Sequence, residues 1–151
     1  LFPYTSLFRS VINDEMDDYI VNEIITKIFK TKKDLGKLRI GVLGVTFKEN
    51  TPDLRNSKAI NIIKKIKNYG LEPIIYDPIA DSNELLMYHG LESVTLEKFR
   101  ELDVVAILVA HQEFELFDEE IIMNMLNENA CFFDLKSIFN HLKNKIDYWS
   151  L

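Results

Sequence analysis

The sequence predicts an α/β domain: a doubly wound, mostly parallel sheet with helices on both faces, preceded by one long helix. Three observations carry this expectation. Short apolar runs alternate with segments of helical spacing along the chain. Two of those runs, 38–44 and 103–110, are nearly continuous in apolar residues, as strands buried on both faces are. The segment 11–29 instead repeats its apolar residues at helical spacing.

Taken in order, 11–29 places Ile12, Met16, Ile20, Val21, Ile24, Ile25 and Ile28 on one stripe. Asp14, Glu15, Asp17 and Asp18 come early and Lys27, Lys30, Lys32 and Lys33 late, which suits the helix dipole. So wide a stripe serves either packing on its own domain or a helical interface. The turn 34–37 closes this helix and is the one candidate boundary. The first strand is 38–44. Ser57 or Asn56 caps the next helix, whose inner face is Ala59, Ile62, Ile63 and Ile66 and which Gly70 ends. Further strands are expected at 72–76, weakly at 93–95, then at 103–110, 130–133 and 148–151. Helices are expected at 82–88, 117–127 and 136–143, with a helical turn at 96–102. Asp118 caps the 117–127 helix, with Phe117 and Ile122 as a hydrophobic staple.

A chain of 151 residues with 47% hydrophobic and 28% charged residues forms one domain, or one domain plus an appendage. Its net charge of −6 argues against a nucleic-acid partner, because a phosphate backbone needs a dense Lys/Arg face. The single cysteine excludes an internal disulfide framework and a CxxC motif, and fits a reducing compartment. The longest purely apolar run, 104–110, is too short to span a membrane. The first ten residues, LFPYTSLFRS, have no clean periodicity and resemble the translation of a sequencing-adaptor oligonucleotide. They are set aside as a scar. On that reading the natural chain starts near Val11 in mid-protein and the polypeptide is a fragment.

The chemistry concentrates in 40–57, IGVLGVTFKENTPDLRNS, which begins as a strand and ends at a helix cap. In an open α/β sheet such loops line the ligand crevice. Lys48 and Arg55 stand seven residues apart in it, stiffened by Pro52, with Asp53 placed to orient Arg55. Two cations beside a helix start make an anion-binding, nucleotide-binding element. The Rossmann-like architecture is therefore expected without its usual fingerprint: Gly41 and Gly44 are followed by Phe47, so GxGxxG is absent. Asp77 stands where a ribose-binding acid would, but Pro78 behind it favours a plain turn. His89, His111 and His141 share no metal-ligand spacing with one another or with Cys131. His111, after the strongest strand, faces the same crevice. Cys131 lies inside an apolar strand and reads as core. Lys136, after the 130–133 strand, can also reach the crevice.

The segments GVLGVTFKENTPDLRNSKAINIIKKI, YDP, VAHQEF, FFDLK and the terminal YWSL resemble the C-terminal domain of the nucleotide-sugar dehydrogenases, the UDP-glucose/GDP-mannose dehydrogenase family. FKENTPDLRNS is more similar to the branch acting on UDP-N-acetylhexosamines, which feeds surface-polysaccharide synthesis. INDEM and the helix after it resemble the end of the family's central, dimer-forming domain. The resemblance implies an NAD-dependent oxidation of the sugar C6 alcohol to a carboxylate through a covalent cysteine intermediate. It implies a cytoplasmic homodimer or higher homo-oligomer, and no metal. Phe47 and Lys48 then match substrate-contacting positions, with Lys48 near the diphosphate, and Arg55 matches the position that reaches NAD. The UDP-glucose branch has an arginine pair after the fifth strand where this chain has Lys136-Ser137, so a substrate contact there rests on Lys136. Cys131 does not match the family's catalytic cysteine, so no catalytic residue is expected here. The division implied is 11–36 from the central domain and 37–151 as the UDP-sugar-binding domain.

Two other readings are open to the residues. A receiver-type signalling module needs acidic residues after the first strand, where Gly44-Val45-Thr46 stands. A free-standing, non-catalytic nucleotide-binding or assembly module shares the features of the loop.

Overall fold

The computed structural model describes the backbone of residues 2–151 and the side chains from residue 14 onward. Whether the side chains of the first ten residues pack on the domain lies outside the described residues. The elements are α1 (Phe2–Lys30), β1 (Ile40–Leu43), α2 (Lys58–Lys67), β2 (Ile74–Tyr76), α3 (Ser82–His89), β3 (Leu102–Ile107), α4 (Glu119–Met125), β4 (Leu126–Asp134) and β5 (Asp147–Trp149). The five strands form one sheet in the order β2-β1-β3-β4-β5, and every pairing is parallel.

The pleat sends alternate residues to two cores. Val42, Val104, Ala106 and Phe133 face α1, α2 and α3 through Ile24, Ile63 and Leu85. Leu43, Val105, Ile107 and Phe132 face α4 through Ile122 and Met125. Both faces of β1 and β3 are thus covered, which is why their sequences are apolar without alternation. The stripe Ile20, Val21, Ile24, Ile25 and Ile28 of α1 is buried in the same core as α2. Ion pairs from Lys65 to Asp18 at 2.6 Å and from Lys27 to Asp147 at 2.6 Å lie along this helix. That stripe packs against α2, while Met16, Tyr19 and Phe29 remain exposed.

The strand order reverses between β1 and β3. The chain leaves β1 toward α2 on one face and leaves β3 toward α4 on the other, so a crevice opens at their carboxyl ends. Gly44 closes its floor. It has φ +84°, and a Cβ there would stand 2.3 Å from the Val109 carbonyl oxygen. The loops after β1 and β3 therefore touch backbone to backbone.

Several expected elements differ. The weak strand at 93–95 is reduced to one bridge, Ser93 to Ile75. The helix expected at 136–143 is a single 3-10 turn, Asn140–Leu142. Ser137 takes φ +58°, and the Asp134 carboxylate accepts the Phe139 N–H at 2.7 Å, which breaks helical spacing. The helix expected at 117–127 stops at Met125, because Leu126 already pairs with Leu102 as the start of β4. The long helix begins at Phe2 rather than Val11.

Candidate functional site

The site grows from the loop between β1 and α2. The Phe47 N–H donates to the Asp53 carbonyl at 2.7 Å, which closes the segment between them into a compact lobe. Asn50 and Asn56 absorb the turns with φ +59° each, a conformation asparagine tolerates. Ser57 ends the loop. Its buried hydroxyl donates to the Val45 carbonyl at 2.6 Å and accepts the Ile60 N–H at 3.2 Å, so one side chain both caps α2 and ties it to the loop base. Ser57→Ala is expected to lower unfolding free energy by about 1 kcal/mol, read by urea denaturation; an unchanged midpoint contradicts the double role.

Phe47, Lys48 and Lys136, three of the residues singled out by sequence, line one cavity of about 370 Å³. The first turn of α2 adds Lys58 and Ala59, and α1 adds Asp17 and Ile20. Phe47 is half exposed, an aromatic face open to a ligand. Among the described residues, neither Lys48 nor Lys58 has an ion-pair partner, whereas Lys136 lies 3.5 Å from Glu49. A cation in the first turn of a helix opposes the helix dipole and costs stability. Lys48 and Lys58 together make this end of α2 a place for an anion. Asp17 is almost fully buried on the cavity wall; burial pushes its carboxyl up, against Lys58 and Lys65, which pull it down.

Arg55 does not enter this cavity. It lines a second cleft, of about 750 Å³, with Pro52, Glu84, Tyr88 and His89. Its Nε donates to Asp53 Oδ1 at 3.0 Å and its Nη2 to Oδ2 at 3.0 Å, the orientation anticipated for this pair. The fork holds the Asp53 carboxyl below its ordinary value. The Arg55 side chain is 86% exposed, with N–H groups left over from the fork.

Behind the loop lies a buried polar group that the sequence does not announce. His111 Nε2 lies 2.9 Å from Asp77 Oδ2 and 3.2 Å from Thr46 Oγ1, and its Nδ1 accepts the Asn50 N–H at 3.0 Å. Asp77 also accepts from the Val45 N–H at 2.7 Å and from the Ile79 and Ala80 N–H groups at 2.8 Å each. Burial pushes the Asp77 carboxyl up, but the His111 N–H and these amides outweigh it and hold the group below its ordinary value. Asp77 does build a turn, as expected of Asp-Pro, and it also anchors the imidazole. His111 faces inward, fully buried. The missed signal is positional: Asp77 directly follows β2 and His111 stands in the loop after β3, the two strands that flank β1.

Cys131 is buried and its thiol is pushed up to about 12, chiefly by burial, which leaves no thiolate nucleophile. Among the described residues no group of three His, Cys, Asp or Glu side chains could hold a metal ion. No described helix is long and apolar enough to cross a membrane.

Comparison with known proteins bears on this arrangement. Residues 41–141 match the model of the UDP binding domain of the UDP-glucose/GDP-mannose dehydrogenase family. The chain is 36% identical over 129 residues to Protein CapL of Staphylococcus aureus, covering 85% of this chain and 30% of that protein. It is 29% identical over 137 residues to the UDP-N-acetyl-D-glucosamine 6-dehydrogenase of Salmonella typhi, covering 91% of this chain and 32% of that one. The fold is similar to the structure of a UDP-D-ManNAc dehydrogenase from Pyrococcus horikoshii, with TM-score 0.73 and 20% identity over 91% of this chain and 31% of that one. The chain thus spans about a third of the length of the curated relatives it matches.

Proposed function

This chain belongs to the UDP-glucose/GDP-mannose dehydrogenase family, and we propose that it supplies the UDP-binding domain of an NAD-dependent 6-dehydrogenase acting on a UDP-N-acetylhexosamine. The product is the corresponding uronic acid, made in the cytoplasm for polysaccharide synthesis. Residues 37–151 form the UDP-sugar domain. Residues 11–36 lead in from a central domain through which the whole protein forms a homodimer or higher homo-oligomer.

One observation carries the reading. The neighbours Phe47 and Lys48 and the sequence-distant Lys136 share a cavity with the amino end of α2 and Lys58. A diphosphate brings negative charge to Lys48, Lys58 and Lys136, and a uridine brings a flat ring to Phe47. Lys48 is the diphosphate contact, since its ammonium has no ion-pair partner among the described residues. Lys136 must exchange Glu49 for the ligand, which ranks it second.

Among the described residues, the turn after β1 is not built as a dinucleotide site. The room that a fingerprint glycine would leave for pyrophosphate at Gly44 is filled by the Val109 backbone. Arg55 offers one outward fork in its separate cleft, suited to a phosphate of NAD held on a domain outside this chain.

The test is a titration of this chain with UDP and UMP, with NADH formation followed alongside. UDP is expected to bind about tenfold tighter than UMP, through the added phosphate. NAD with UDP-N-acetylglucosamine is expected to yield no NADH. Equal affinity for the two nucleotides overturns the diphosphate reading. Turnover abolished by Cys131→Ala overturns the placement of that residue in the core.

A further inference from the structure

The polar group behind the loop has a hydrogen-bond arithmetic that only one imidazole form satisfies. The Asn50 N–H can only donate, so His111 Nδ1, 3.0 Å away, carries no proton. The ring's one N–H is then on Nε2, where the Asp77 carboxylate at 2.9 Å and the Thr46 hydroxyl at 3.2 Å share it. The Thr46 hydroxyl can accept there because its own proton goes to the Lys48 carbonyl at 2.9 Å. The Asn50 side-chain oxygen in turn accepts the Gln112 N–H at 2.9 Å. One ring thus joins the segments following β2, β1 and β3. Both ends of the stretch carrying Phe47 and Lys48 are fixed to it, at Thr46 and at Asn50. The Nε2 contacts to Asp77 and Thr46 are buried and the bonds to Asn50 and the Lys48 carbonyl are part-buried, where an unmatched donor is expensive, so the stretch has one low-energy register.

We propose that His111, oriented by Asp77, is a positioning residue that holds Phe47 and Lys48 in the ligand-receiving register through its neutral Nε2–H tautomer. The inference rests on the reading of the Lys48 cavity as the UDP site and extends it to groups that never touch the nucleotide. Asp77 fixes the tautomer, Nδ1 holds Asn50, and the Thr46 hydroxyl relays the ring to the carbonyl of Lys48. A ligand meeting a loop already in register spends none of its binding energy on ordering it.

The test is a double-mutant cycle on this chain, read as the dissociation constant for UDP. His111→Gln keeps a donor near Nε2 and removes the acceptor for Asn50; it is expected to weaken UDP about tenfold. Thr46→Val, nearly the same shape without the hydroxyl, is expected to weaken UDP about fivefold. His111→Asn puts an amide oxygen near Nδ1 and should recover most of the affinity. His111→Gln combined with Lys48→Ala should be weaker than Lys48→Ala alone by less than the full loss that His111→Gln causes in the parent, since both act through the Lys48 contact and only the share carried by Phe47 remains. In the parent, ¹⁵N resonances should show His111 Nδ1 unprotonated and Nε2 protonated.

If Lys48→Ala itself binds UDP within twofold of the parent, the cavity is not the UDP site and the functional reading falls with the inference. If Lys48→Ala weakens binding while His111→Gln and Thr46→Val do not, the positioning role alone is overturned. Losses that multiply in the double variant overturn it too, because they place His111 outside the action of Lys48. A protonated Nδ1 in the parent contradicts the tautomer directly. Should His111→Gln fail to fold, Thr46→Val carries the same cycle.

Discussion

Lys48→Ala is expected to weaken UDP binding ten- to a hundredfold while Arg55→Ala leaves it within about twofold. The difference follows from placement. Lys48 lines the cavity with Phe47 and Lys136, and its ammonium has no ion-pair partner among the described residues. A charge-assisted hydrogen bond to a diphosphate is worth roughly 1.5–3 kcal/mol, which is that range in dissociation constant. Arg55 lies in the other cleft, 86% exposed and forked on Asp53. In a whole enzyme, Arg55→Ala instead raises the Michaelis constant for NAD. Arg55→Lys recovers little, since an ammonium cannot reproduce the planar fork. Matching circular dichroism and melting curves ensure that each variant is folded before its constants are compared. Equal losses of UDP affinity in the two variants contradict the separation of the sites.

The second large effect is on stability. Asp77→Asn is expected to cost about 3 kcal/mol at neutral pH and to lower the melting temperature by about 8 °C. The carboxylate accepts from Val45, Ile79, Ala80 and the His111 ring, and an amide cannot accept on both of its ends. At least one buried donor therefore loses its partner. The sign with pH follows from the lowered carboxyl. A group whose folded pKa lies below its unfolded value stabilises the fold above that value, near 3.8 for Asp77. The contribution disappears as pH falls through the folded pKa. The stability gap between parent and Asp77→Asn should therefore be full at pH 7 and shrink as the pH is taken below about 4. Asp53 and Asp103 titrate in the same sense and Asp17 in the opposite one, so the difference between the two proteins is the quantity to read. A gap independent of pH contradicts the assignment of Asp77 as the charged anchor.

Local chemistry made much of this legible. Continuous apolar runs marked β1 and β3, and Ser57 announced the cap of α2. Asp53 beside Arg55 suggested its fork, a contact within two residues. Lys136 could be placed near Lys48 because both follow parallel strands and so emerge at the same sheet edge. What stayed hidden depends on distance in sequence. Asp77 and His111 are 34 positions apart, and each has an ordinary local reading, as a turn acid and a crevice histidine. Their meeting requires knowing that β2 and β3 flank β1. Lys58 carries no local signal of its own, since a lysine at a helix start usually faces solvent. The failed helix after β4 had suitable apolar spacing at Phe139 and Leu142, but the Asp134 carboxylate and the left-handed Ser137 override it.

The most direct measurement is a crystal structure of this chain with UDP. The account predicts the diphosphate within hydrogen-bonding reach of Lys48 Nζ in the cavity shared with Phe47 and Lys136, with Arg55 out of contact. UDP seated instead against Arg55 and Tyr88, or in the cleft at the amino edge of β4 and β5 between Asn127 and Lys145, contradicts it.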